Sequence, residues 1–132
     1  MVVRSIRSSI KRVRKFLNRL GLSVGKCFDE HELVSLLKSV NVKGDGFWLL
    51  GWREHGALGN SSTINVILID RDDREYVIKL LVSVSAVNVT LPVKLLNLGD
   101  DVVGVTIMLD NDLAHISGRI LCVRGIEISE VS

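Results

Sequence analysis

Thr63–Val84 reads TINVILIDRDDREYVIKLLVSV, two runs of β-branched and apolar residues on either side of the charged knot Asp70–Arg71–Asp72–Asp73–Arg74–Glu75. The runs Thr63–Asp70 and Tyr76–Val84 have strand composition, and the knot between them has turn composition. This stretch therefore predicts a β-hairpin with a charged tip, and the rest of the chain is placed around it.

Upstream, the period is that of a helix. Ile6, Ile10, Val13, Leu17 and Leu20 recur at steps of four and three, with Arg4, Arg7, Lys11, Arg12, Arg14, Lys15 and Arg19 on the opposite arc. That spacing predicts a basic amphipathic helix over Val2–Leu20, ended by Gly21. A second helix is predicted from Asp29 as N-cap, with Glu32 three residues on, through Leu33, Val34, Leu36 and Leu37 to about Val40. Lys43–Gly44–Asp45–Gly46 then reads as a turn, Phe47–Trp52 as a short strand and Gly56–Ser62 as a loop. Downstream of the hairpin, Leu91–Leu98 is apolar at helical spacing with Pro92 in its first turn. Val102–Leu109 and Leu113–Val123 close the chain as a hairpin about Asp110–Asn111–Asp112.

The resulting order is α–α–β–β–β–α–β–β. Val66–Ile69, Val77–Val82 and Val102–Leu109 are near-continuous apolar runs, which suit strands covered on both faces. The expected fold is therefore α/β, a mixed sheet flanked by helices, with the basic helix (residues 1–26) set before a single α/β domain (residues 27–132).

Composition narrows the function classes. The chain has 132 residues, 47% of them hydrophobic, with a single proline, which is one ordered domain's worth. No apolar run reaches the ~18–20 residues of a membrane helix. No secretory signal opens the chain, so Cys27 and Cys122 are expected as reduced thiols of a cytoplasmic protein, with a bridge between them left open. The net charge of +2 hides a split: eight of the 17 basic residues precede Asp29, the first acid, and all 15 acids follow.

The basic arc has three readings. It is a solvated face over a packed stripe, a contact for nucleic-acid phosphates, or a membrane-surface or presequence helix. Phe16 is the one aromatic on the apolar side, so nucleic acid, RNA or DNA, is the better functional reading. Elsewhere the chemistry is thin. His31, His55 and His115 are dispersed and stand in no metal-ligand spacing. His55 is expected in a loop, and Trp48 and Trp52 are expected on one strand face. Gly44, Gly46, Gly51, Gly56 and Gly59 match no phosphate-cradling motif. A restriction-type metal nuclease needs carboxylates on adjacent strands, but Asn65 stands on the first and Lys79, with Leu81, on the second. Neither catalytic residues, a metal site nor a cofactor is expected.

From Glu32 to Val123 the order of elements resembles the C-terminal domain of archaeal tRNA-splicing endonuclease subunits. The turn Lys43–Gly44–Asp45–Gly46–Phe47, the segment Glu75–Tyr76–Val77–Ile78–Lys79 and the hairpin Val105–Asp112 carry the resemblance. That family cleaves RNA without metal, using tyrosine, histidine and lysine. Carried onto this chain, the histidine falls on Asp73, the tyrosine near Ile67–Leu68, and the lysine has no counterpart in Leu95–Gly99. The resemblance thus implies a restriction-endonuclease-like fold and a non-catalytic structural subunit, working with a catalytic partner subunit in RNA processing. In the family an acidic loop of the last hairpin enters the partner, which assigns partner binding to Asp110 and Asp112, against the plainer reading of an ordinary turn. Glu30–Ser39 is also similar to the first helix of archaeal Holliday-junction resolvases, whose metal-binding acids are replaced here at Asn65 and Lys79. The alternative is a stand-alone nucleic-acid-binding protein using the basic helix, or a degenerate nuclease.

Overall fold

A computed structural model of the chain describes residues 2–96 and 106–131, and the side chains within them apart from those of residues 2–8 and 57–58. Helix α1 (Val2–Leu20) is followed by the short strand β1 (Cys27–Asp29), helix α2 (Glu30–Lys38) and the single turn α3 (Val40–Lys43). The sheet strands are β2 (Phe47–Leu58), β3 (Ser61–Asp70), β4 (Glu75–Pro92), β5 (Thr106–Asp110) and β6 (Leu113–Val131). Their order is β1-β6-β4-β3-β2, with β5 also on β6, and every pairing is antiparallel.

The expected α/β class therefore holds, but the sheet is antiparallel rather than mixed. Tight turns join β2 to β3, β3 to β4 and β5 to β6, so successive strands return beside one another with no crossover helix to make a parallel pair. Asp29 caps α2 as its sequence implies, accepting a hydrogen bond from the Glu32 N–H at 2.8 Å.

The core lies on one face of the sheet. Burial alternates along β3 and the first half of β4, placing Ile64, Val66, Leu68, Tyr76, Ile78, Leu80 and Val82 inward. Against them pack Val13, Phe16, Leu17 and Leu20 of α1 with Leu33, Leu37 and Val40 of α2 and α3. Phe16 stacks on Phe47 with ring centroids 4.8 Å apart, and Phe47 meets Tyr76 edge-on at 6.4 Å. The composition changes after residue 26, yet the core runs across that point, because α1 supplies one wall of it.

The opposite face is open among the described residues, which corrects the expectation of two covered faces. Ile67, Ile69 and Val77 are half-buried there, and Trp48, Leu81 and Val131 are exposed. Beyond Ser83, the last residue of β4 paired with β3, β4 and β6 run on together as far as Pro92 and Leu113. With β5 they form a three-stranded arm that reaches past the core.

Several local expectations are corrected. Gly56–Ser62 is not a loop: β2 continues to Leu58, a register shift after His55 absorbs the irregularity, and Gly59 at φ 62° turns the chain into β3. Trp48 and Trp52 do not share a face. A bulge between Leu49 and Gly51 puts Trp48 opposite Ile69 on the open face and Trp52 opposite Val66 on the core face. The helix expected at Leu91–Leu98 shrinks to one 3₁₀ turn, Val93–Leu95, because Leu91 and Pro92 stay paired with Ala114 and Leu113; residues 97–98 lie outside the described part. Of the strand expected at Val102–Leu109, Thr106–Asp110 is present and residues 102–105 lie outside the described part.

Cys27 and Cys122 face one another across β1 and β6 and form a disulfide, so they are not the free thiols expected. Sequence carried no sign of β1, which is what sets the two sulfurs opposite each other. A cross-link between residues 95 apart stabilises a fold by roughly 2–4 kcal/mol.

Candidate phosphate-binding cleft

The charged knot that marks the central hairpin turns out to be half buried. Asp70, at its start, is only 4% exposed. Its Oδ1 accepts the N–H groups of Asp72 and Arg74 at 2.9 and 3.0 Å, and its Oδ2 accepts the Tyr76 hydroxyl at 2.8 Å. Arg12 of α1 approaches the same Oδ2 at 3.5 Å. Burial is the largest single influence on this carboxyl and pushes its pKa up, but Tyr76, the two N–H groups and Arg12 together hold it below the ordinary value. The Tyr76 hydroxyl is shifted up, first by burial and then by the neighbouring carboxylates. Arg74 donates to Ser9 Oγ at 2.5 Å and lies 4.0 Å from Glu130. The knot is thus a clamp between the hairpin, α1 and the end of β6.

Beside that clamp, cations from two elements meet at one place. Arg12, Lys15 and Arg19, spaced to share one side of α1, line a cleft of about 300 Å³ together with Arg71 from the β3–β4 turn. Asp45, Gly46 and Phe47 complete its lining. Arg71 lies directly over Gly46: a Cβ there would come within 2.9 Å of Nε, and the residue's φ of 87° also favours glycine. Four cations thus share the cleft's lining with one acid, and Asp70, which lies 3.5 Å from Arg12, is not part of that lining.

The basic arc read from sequence therefore divides. Arg12, Lys15 and Arg19 converge on the cleft. Lys11 is exposed outside it, and Arg14 stands over a separate hollow with Leu22 and Ile126. Arg4 and Arg7 occupy described helix backbone, but their side chains lie outside the described part. Arg71 was missed, since inside an acidic run its charge reads as neutralised. Asp110 and Asp112 are exposed at the β5–β6 tip and line no part of the cleft.

The other polar residues lie outside the cleft. Asn65 pairs across the ladder with Lys79, and Lys79 lies 3.9 Å from Glu127. Asp73 occupies a left-handed turn position at φ 60°. His55 is on β2 opposite Thr63 rather than in a loop, and His115 Nδ1 lies 3.1 Å from Thr90 Oγ1. Arg119 is held between Glu54, at 2.9 and 3.1 Å, and Glu30. Among the described residues no group of three His, Cys, Asp or Glu side chains is placed to hold a metal ion. No described helix is long and apolar enough to cross a membrane.

No protein-family model, curated protein or solved structure matches this chain.

Proposed function

We propose that the chain binds the phosphate backbone of a nucleic acid, through α1 and the β3–β4 turn together. The observation that carries this reading is the convergence of Arg12, Lys15, Arg19 and Arg71 on one cleft that holds Asp45 as its single acid. Guanidinium groups suit this task because their planar donors engage two phosphate oxygens at once, and separate cations along a groove track successive phosphates. The cleft offers no exposed aromatic ring on which a base could stack, which favours contact with the backbone over reading of sequence. Contacts of this kind release counterions, so affinity falls with salt in proportion to the phosphates engaged.

The test is binding to RNA and to duplex DNA over a range of salt, with Lys15→Gln, Arg19→Gln and Arg71→Gln combined. Arg12 is left in place because it also holds Asp70. For duplex DNA the log–log slope should flatten by roughly 2–3, at about 0.9 per lost phosphate contact. A Lys11→Gln, Arg14→Gln control, outside the cleft, should move it less. An unchanged slope in the triple variant would remove the cleft from the reading.

A second reading makes the chain a non-catalytic subunit beside a catalytic partner, as its resemblance to splicing-endonuclease subunits, and with it a restriction-endonuclease-like kinship, implies. The β5–β6 tip favours it. Asp110 and Asp112 project there beside Met108 and Leu109, which are 67% and 65% exposed, so a charged tip is flanked by uncovered apolar side chains. Asp110→Ala with Asp112→Ala should weaken co-purification of such a partner from the native source; equal recovery would count against it.

A further inference from the structure

The arm formed by β4, β6 and β5 leaves one strand edge without a partner among the described residues. β3 covers β4 only as far as Ser83, and the next contact on that side is the Val84 N–H donating to the Asn60 carbonyl at 2.7 Å. No register shift interrupts β4 between Val82 and Pro92. The strand's period of two therefore aims the N–H and C=O groups of Ala86, Asn88 and Thr90 to the same side as those of Val84, where no described residue pairs with them. Pro92, which has no N–H, closes the series.

Within its own sequence this edge lacks the usual protections. Ser85–Leu91 reads SAVNVTL, with no charge and no proline, and no bulge bends it away from a partner. It is also self-complementary. In an antiparallel pairing with another copy centred on Asn88, Ala86 meets the partner's Thr90 and Asn88 meets the partner's Asn88. These are the residues whose backbone groups face outward, so roughly six hydrogen bonds close the ladder. Val87 then faces the partner's Val89 on the open side of the sheet. There Val89 is 41% exposed and Leu109 65%, with Ile107 and Ile116 in adjacent rows. Any other centre among Ala86, Asn88 and Thr90 leaves fewer outward groups matched.

We infer that the chain forms a twofold-symmetric homodimer by antiparallel pairing of β4 with β4 across Asn88, making one continuous sheet from two copies. The partner is a second copy because the edge carries no charge to select another chain, and its donors and acceptors match their own reversal. The twofold axis stands perpendicular to the sheet, so both α1 helices, and both basic clefts, lie on the same face of the dimer.

The experiment is the solution mass of the full chain by light scattering and sedimentation, up to about 100 μM, because an edge-to-edge contact lies at the low end of interface sizes. The expected mass is twice 14.6 kDa. Asn88→Pro removes the central donor from each copy, and loss of the dimer is expected with the thermal midpoint of the folded chain retained. Asn88→Lys and Asn88→Asp place like charges opposite each other, so each alone should raise the dimer dissociation constant roughly three- to tenfold, and an equal mixture should restore it. A wild-type chain that stays monomeric over this range, whether or not the amides of Ala86, Asn88 and Thr90 are protected from exchange, overturns the proposal. Dimerisation unaffected by all three variants overturns it too.

Discussion

The molecule has two acidic hairpin tips, and they do opposite things. The first, Asp70–Glu75, turns its leading carboxylate inward, where Asp70 satisfies two backbone N–H groups and a tyrosine hydroxyl beneath α1. The second, Asp110–Asp112, leaves both carboxylates exposed on the arm, where no described helix packs over them. Each tip uses one left-handed non-glycine residue, Asp73 at φ 60° and Asn111 at φ 51°. Both are rich in aspartate, though only the first carries arginines, Arg71 and Arg74. What separates them is the layer above: a carboxylate under a basic helix becomes a fastening, and one at the end of a free arm becomes surface.

The largest effect should come from removing the fastening. Asp70→Ala leaves the Tyr76 hydroxyl and two turn N–H groups without their acceptor in a buried site, a loss of about 2–4 kcal/mol in denaturant unfolding. Asp110→Ala with Asp112→Ala should change stability by less than about 0.5 kcal/mol, as exposed substitutions do. If the two losses came out equal, the contrast between the tips would be wrong.

A difference in pH response follows from the same carboxylate. Asp70 has a lowered pKa when folded, so the unfolded chain takes up its proton first as the solution is acidified. Its contribution is fully present above the ordinary carboxylate value and is lost as pH falls from about 4 toward the lower folded value. Wild type should therefore lose more stability than Asp70→Asn over that acid range, and the two curves should run parallel above pH 5. Parallel curves throughout would mean that the clamp does not depend on the charge.

Local signals carried much of this. The Asp29 cap and the β3–β4 hairpin are short-range patterns found where their residues place them; of the α1 stripe, Val13, Leu17 and Leu20 are buried, Ile10 is half-buried and the side chain of Ile6 lies outside the described part. Three of the four cleft cations, Arg12, Lys15 and Arg19, were legible as one helical arc. Arg71 was not, because it joins the cleft across Gly46, 25 positions earlier, a non-local approach that no short pattern displays. Strand β1 was invisible, since three residues cannot display a period and its pairing with β6 is non-local. The arm was read short because Ser83–Thr90 is laced with small polar residues. That composition suits a strand open to solvent, and it also resembles a loop. The bulge at Leu50 defeated the reading of the two tryptophans, since one extra residue exchanges the faces.

The smallest expected effect sharpens the comparison most finely, because it isolates backbone from charge at the two tips. A left-handed conformation strains most L-residues, asparagine least, while glycine adopts it freely at an entropic cost in the unfolded chain. Asn111→Gly should therefore leave stability within about 0.3 kcal/mol of wild type. Asp73→Gly should gain about 0.5 kcal/mol, since aspartate at φ 60° carries more strain to relieve. The comparison turns on the sign at Asp73. Its carboxylate stands within the same turn as Arg71 and Arg74, so its charge works against their spreading. If Asp73→Gly is instead destabilising, and the loss fades in high salt, the first tip is held by its charges as well as by the burial of Asp70. The second tip, with no cation in its turn, should show no such salt dependence in either variant.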